Sequence, residues 1–222
     1  MSSAPNSLRA SVWPAVWLAG LVPWVSAHAA TDHPPDAAPC ATARAELKAH
    51  DLAEIFLKQQ GKVELKRAVG CLKLENGMEL PAMLLSLPPL DNPYSIRVAA
   101  PTRGSSYLQP RIEMLDAQYH PLRSYGAERL KRRGMEMSLE VFMNAANAEE
   151  RFVLLYADPE HLGDTDQKTT SQSQALFVGT GFVITGNDRT ASLRSATDGE
   201  LTVQLLGEQW EKALRAARNR GR

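Results

Sequence analysis

The chain has 222 residues, 44% of them hydrophobic, which is enough for one domain with a real core plus accessory segments. Lys plus Arg and Asp plus Glu are equal, at 25 each. That balance exerts no overall pull on nucleic acid or acidic substrates and argues against a general binder of either.

The first residues differ in kind from the rest. Arg9 supplies a positive charge, and an apolar run from Val12 to Val25 follows, interrupted by Pro14 and Pro23. Ala27-His28-Ala29 then gives a small-x-small cleavage pattern. Together these predict a secretory signal peptide over residues 1–29, cut after Ala29. The run is too short to cross a bilayer comfortably as an anchor. Cys40 lies well beyond it, behind Ala37-Ala38-Pro39, and lacks the context for lipid attachment. No later stretch is long enough to span, so the processed chain is expected to carry no membrane segment. Cleavage removes one basic residue and no acid, and it removes Trp13, Trp17 and Trp24, leaving Trp210.

Residues 30–40 form a proline-rich polar spacer, expected to be extended. Residues 41–61 read as a helical segment, rich in Ala, Leu, Glu and Lys. Leu52, Ile55 and Phe56 share a face at helical spacing. Asp51 with Glu54 suggests a capping box that breaks the helix near His50, and Gly61 is a stop signal. Cys40 and Cys71 bracket this segment. In an exported chain an even pair most simply forms a disulfide, and no CxxC or Cys/His cluster supports the alternative of a reactive or metal-binding thiol.

From Lys62 the hydrophobic period becomes two. Val63 and Leu65 alternate with charged residues, as do Leu72 and Leu74 ahead of an Asn76-Gly77 turn signal. Residues 82–87 are apolar, and Tyr94, Ile96 and Val98 face away from Ser95 and Arg97. Ile112 and Met114 share a face before a turn near residues 116–118. Met137, Leu139 and Val141 point inward on a further strand. Residues 152–157 carry large apolar side chains on both faces, the pattern of a strand in the middle of a sheet. Residues 158–174 read as a polar loop with a short helical turn, and Gly179 and Gly181 suggest a bend or bulge. After the Asp198-Gly199 turn signal, Leu201, Val203 and Leu205 form a last strand. Residues 208–222 read as a basic helix, largely solvated. The expectation is an all-β, antiparallel sandwich of about eight strands over residues 62–207, flanked by the helical segment and the basic helix.

The succession PRIEMLDAQYHPLRSY, MSLEVFM, RFVLLYADPEHLGDT, LFVGTGF and SATDGELTVQLL resembles the maltose operon periplasmic protein family over roughly residues 78–206. No proline follows Gly181 where that family has one, and neither the cysteine pair nor the basic tail maps onto it. The resemblance implies a periplasmic location and a connection to carbohydrate uptake of the maltose or maltodextrin kind. It carries over no catalytic residue.

The residues themselves point to no reaction. Gly104-Ser105-Ser106 is not a nucleophile elbow. His33, His50, His120 and His161 show no metal-ligand spacing, and the acids Asp158, Glu160, Asp164 and Asp166 do not match a calcium-binding loop. The expectation is therefore no catalytic residue, no metal and no cofactor. Tyr107, Tyr119 and Tyr125 are candidates for stacking on a sugar, with sandwich-edge packing as the competing role. Arg129, Arg132 and Arg133 form a basic patch that could meet an anionic envelope surface. The expected role is a non-catalytic accessory protein that contacts an envelope or sugar-uptake protein, with a glycan-binding module as the alternative.

Overall fold

The computed structural model describes residues 39–220 other than 103, 135, 179 and 180, and between 168 and 189 it describes the backbone alone. The stretch expected to be a signal peptide, the expected spacer up to residue 38 and Gly179 lie outside the described residues.

In chain order, a 3-10 turn at Arg44–Glu46 leads to β1 (Ala49–Asp51), α1 (Leu52–Gln59), β2 (Lys62–Leu65), β3 (Cys71–Lys73) and β4 (Glu79–Ser86). Then come β5 (Tyr94–Pro101), β6 (Ser106–Leu108), β7 (Pro110–Leu115), β8 (Pro121–Tyr125), β9 (Lys131–Arg133) and β10 (Glu136–Met143). The chain ends in β11 (Phe152–Ala157), β12 (Thr165–Val178), β13 (Gly181–Ala196), β14 (Gly199–Leu206) and α2 (Glu208–Arg220).

Two sheets face each other. One has the order β1-β4-β11-β7-β8, with β3 also on β4, and the other β2-β14-β5-β10-β9. Their inner faces share one core. Met83, Leu85, Ile112, Met114, Val153 and Leu155 come from the first sheet; Val63, Ile96, Val98, Val141, Leu201 and Val203 come from the second. Period-two alternation is what delivers every second side chain to that interior.

Strand β11 is central in its sheet and buried on both faces. Val153 and Leu155 enter the shared core, while Leu154 and Tyr156 join a second cluster with Leu47, Leu72, Leu80 and Leu84. The segment from Cys40 to Leu47 covers that outer cluster and is tied down by the Cys40–Cys71 disulfide, whose Cα atoms are 4.6 Å apart.

The third sheet is a hairpin of unusual length. Strands β12 and β13 pair antiparallel from Thr165–Arg194 out to Val178–Gly181, and β13 joins β6 only at Arg194–Ala196. Tyr107, Ala127, Leu130, Met137 and Leu193 pack at its root.

Four features differ from the sequence reading. The helical segment expected over 41–61 is helical only over Leu52–Gln59; the stretch before it holds the 3-10 turn and β1. Disulfide closure and the parallel pairing of β1 with β4 override the helix propensity of ARAELKAH. The polar stretch expected to be a loop to residue 174 becomes β12 from Thr165, because its partner β13 supplies the pairing that its own composition does not announce. Among the described residues the strands number fourteen rather than about eight, since several are short and the first ten residues of β12 carry no apolar signal. Two pairings, β1–β4 and β6–β13, are parallel in an otherwise antiparallel body.

The capping signal at Asp51 is real: its carboxylate accepts from the N–H groups of Ala53 and Glu54. Helix α2 is not solvated on all sides. Trp210 sits edge-on to both Phe56 and Tyr94, at 6.4 and 6.3 Å between ring centres, and Leu214 also reaches the core. Its exposed face carries the Lys212–Glu208 and Arg215–Glu211 pairs.

Candidate functional site

Polar chemistry concentrates where two connections meet, the one from β8 to β9 and the one from β11 to β12. Asp158 follows β11 directly and caps the next 3-10 turn, Pro159–His161. It is 1% exposed, an expensive place for a carboxylate unless its oxygens are satisfied. Oδ1 accepts from Arg111 Nη1 at 3.2 Å and from the Glu160 N–H at 3.2 Å, and Oδ2 accepts from the Ala127 N–H at 2.8 Å. Its own N–H donates to the Gln109 carbonyl at 2.7 Å. Arg111 also reaches Glu160, at 3.3 Å.

Gly126 lets a second carboxylate approach. A Cβ at that position would stand 2.2 Å from Glu128 Oε2 and 3.0 Å from Asp158 Oδ2. Glu128 therefore leans over a bare backbone toward Asp158. His161 completes the corner: one ligand atom from each of Glu128, Asp158 and His161 lies within 4.8 Å of the other two. Nδ1 of His161 is 2.9 Å from Asp164 Oδ2. That contact, with the charges of Asp158 and Glu128 behind it, raises the proton affinity of the imidazole.

Two further buried acids act as structural ties. Glu150 takes both nitrogens of a forked contact from Arg123, at 2.6 and 2.7 Å. Glu113, on the outer face of β7, is held by Arg44 and Tyr156. Such pairs satisfy charges that the sheet has desolvated.

The residues singled out from sequence are dispersed. Tyr107 is buried at the hairpin root, with the Arg132 guanidinium 6.0 Å from its ring centre. One edge of it lines a groove of about 260 Å³ together with Glu64, Lys66, Asp198 and Glu200. Tyr119 stacks on Phe152 at 4.8 Å, and its φ of 65° places it in a tight turn. Tyr125 packs against the core beside Arg123. Arg129 lies 3.8 Å from Glu128, Arg132 pairs with Asp166, and Arg133 is exposed opposite Glu136. Cys40 and Cys71 are bonded to each other. Sequence reasoning gave Gly126 and Glu128 no role, read Asp158 as part of a polar loop and set His161 aside because the histidines show no metal-ligand spacing. Glu128 and Asp158 lie far apart in the chain, so spacing could not reveal their meeting.

A larger groove, about 440 Å³, is lined by Thr42–Arg44 of the N-terminal cover and by Leu72–Asn76. Among the described residues no helix is long and apolar enough to cross a membrane. The disulfide is consistent with an oxidising compartment.

Comparison with protein-family models, with curated proteins and with solved structures returns no match for this chain.

Proposed function

We propose that this is an exported, periplasmic accessory protein without catalysis, serving carbohydrate uptake of the maltose or maltodextrin kind through contact with a protein of the envelope or the uptake machinery. The observation that supports contact is the open edge of β12. This strand runs for 14 residues and has β13 as its one neighbouring strand among the described residues. An unpaired strand edge of that length is a template for adding a strand from a partner. The signal-peptide pattern and the family resemblance supply the compartment and the link to sugar uptake.

The test is uptake of labelled maltodextrin by the source organism. Deletion of the gene is expected to reduce uptake. The full chain should restore it, and a chain whose hairpin is shortened by joining residue 169 to residue 190 through a tight turn should not. Uptake unchanged by the deletion would refute the proposal.

One observation favours a second reading, a glycan-binding module: Tyr107 and the acids Glu64, Asp198 and Glu200 share a groove, a combination of ring and polar groups used for sugars. Calorimetric titration with maltodextrins decides between the two. Saturable binding that is lost on Glu200→Gln would favour the groove over the strand edge.

A further inference from the structure

We propose that Glu128, Asp158 and His161 form a binding site for a first-row divalent cation of the zinc type.

Two carboxylates and an imidazole converge here with ligand atoms no more than 4.8 Å apart. Tetrahedral zinc sites hold such ligands at about 2.0–2.2 Å from the metal, so closing this corner needs only small side-chain movements. The approach of Glu128 to Asp158 is otherwise unfavourable. Like charges repel, and among the described residues no shared donor bridges them: the Ala127 N–H serves Asp158, and Arg129 reaches Glu128 only at 3.8 Å. Arg111 is bound on the other side of Asp158, at Oδ1. With one N–H on Oδ2, that oxygen keeps a lone pair for a metal. Gly126 is the device that permits convergence, since any side chain there would collide with the Glu128 carboxylate.

His161 decides the class of metal. Its Nδ1 faces Asp164, and the proposed site uses the other ring nitrogen. A carboxylate behind a metal-bound imidazole is the usual arrangement that fixes its tautomer and orientation. An imidazole among the ligands suits zinc and its neighbours better than calcium or magnesium, which prefer all-oxygen shells. Four carboxylates, Glu128, Asp158, Glu160 and Asp164, gather around this corner against Arg111 and the exposed Arg129, so the local charge favours a cation.

A bound cation would clamp the Gly126–Arg129 turn, which leads into β9, to the Pro159–His161 turn, which leads into β12. It would therefore brace the root of the long hairpin.

The full chain is titrated with zinc chloride by calorimetry, with calcium chloride as the control. One saturable zinc site is expected, weakened at least tenfold by His161→Gln and Glu128→Gln, and about 10–100-fold by Asp164→Asn, which removes the carboxylate behind the imidazole. Cobalt should give a visible absorption band in the wild type that His161→Gln abolishes. Zinc should raise the melting temperature of the wild type, and that of Glu128→Gln by less at the same zinc concentration. Glu128 is exposed, so its substitution keeps the test free of folding failure. No saturable zinc binding below about 1 mM, a dissociation constant worth only about 4 kcal/mol, would overturn the site. Binding that survives both His161→Gln and Glu128→Gln, binding that follows His120→Gln instead, or calcium bound in preference to zinc would also overturn it.

Discussion

The Tyr156 hydroxyl donates a 2.7 Å hydrogen bond to Oε1 of Glu113, diagonally across neighbouring strands β11 and β7. The other carboxylate oxygen of Glu113 accepts from Arg44 Nε at 2.9 Å. The outer face of the first sheet is thus joined to the segment that covers it through one buried acid. Removing Glu113 strands a buried phenol and frees Arg44. Glu113→Ala should cost about 1–3 kcal/mol, whereas Tyr156→Phe leaves Arg44 in place and should cost about 0.5–1.5 kcal/mol. Urea unfolding of the two variants checks this. Equal and negligible losses would show that the triad is ornamental.

The disulfide should matter on the same side of the molecule. Cys40 and Cys71 are 31 positions apart, and in the chain-entropy model closing such a loop stabilises by roughly 3–4 kcal/mol. It also pins the strand-like bridge between Ala41 and Leu72 and the Leu47 contact with the second cluster. Cys40→Ser with Cys71→Ser, or reduction of the wild type, is expected to lower the unfolding free energy by that amount, read from the fall in the urea midpoint. The double variant should also make Arg44, a third exposed in the intact fold, react faster with guanidinium-directed reagents. A midpoint that does not move would mean that packing alone holds the cover.

Much of this architecture could be read from residues 152–157, where apolar side chains on both faces required cover on both faces and therefore a central strand. Asn76-Gly77 and Asp198-Gly199 marked turns for the same reason that glycine tolerates positive φ or extended, crowded backbone. The hairpin could not be read, because TDQKTTSQSQ has no apolar residue to mark a face and owes its extension to pairing with β13. The short helix was overestimated because ARAELKAH satisfies helix propensity while the fold places it between a disulfide and a strand pairing. The corner of Glu128, Asp158 and His161 was silent for a different reason. Its members come from separate connections, and the residue that lets them meet, Gly126, carries no side chain to notice.

Gly61 offers a sharper test of local geometry. It follows α1 with a φ of 76°, and a Cβ there would stand 2.0 Å from the Val203 carbonyl oxygen. Its own carbonyl accepts from the Val203 N–H at 2.7 Å, so the backbone cannot simply retreat. Gly61→Ala combines a left-handed backbone penalty with a clash against a core strand. The expected loss is about 2 kcal/mol or more, measured by chemical unfolding. Gly77→Ala serves as the control: its φ is also positive, at 83°, but a Cβ there meets nothing within 4 Å, so it should lose less. If the two substitutions cost the same, the close approach to Val203 is not what makes Gly61 necessary.

Alkaline pH should loosen the fold through Tyr94. Its ring is 2% exposed, its hydroxyl donates to the Pro88 carbonyl at 3.2 Å, and its edge meets Trp210. Burial first, and then the nearby negative charge of Glu150, push its pKa up to about 12. In the unfolded chain the phenol ionises near about 10. Between those values the folded protein keeps the proton that the unfolded chain has already lost, so unfolding releases a proton and becomes easier as pH rises. The stabilisation is complete below about pH 10 and is lost on the way to about pH 12. Tyr156 is shifted in the same direction, by burial and by Glu113. Unfolding free energies at a series of pH values through this window should fall more steeply for the wild type than for Tyr94→Phe, which has no phenol to ionise. Every other ionisable group is common to both proteins, so the difference between the two slopes isolates Tyr94. Parallel slopes would mean that this ring is as ionisable in the fold as it is outside it.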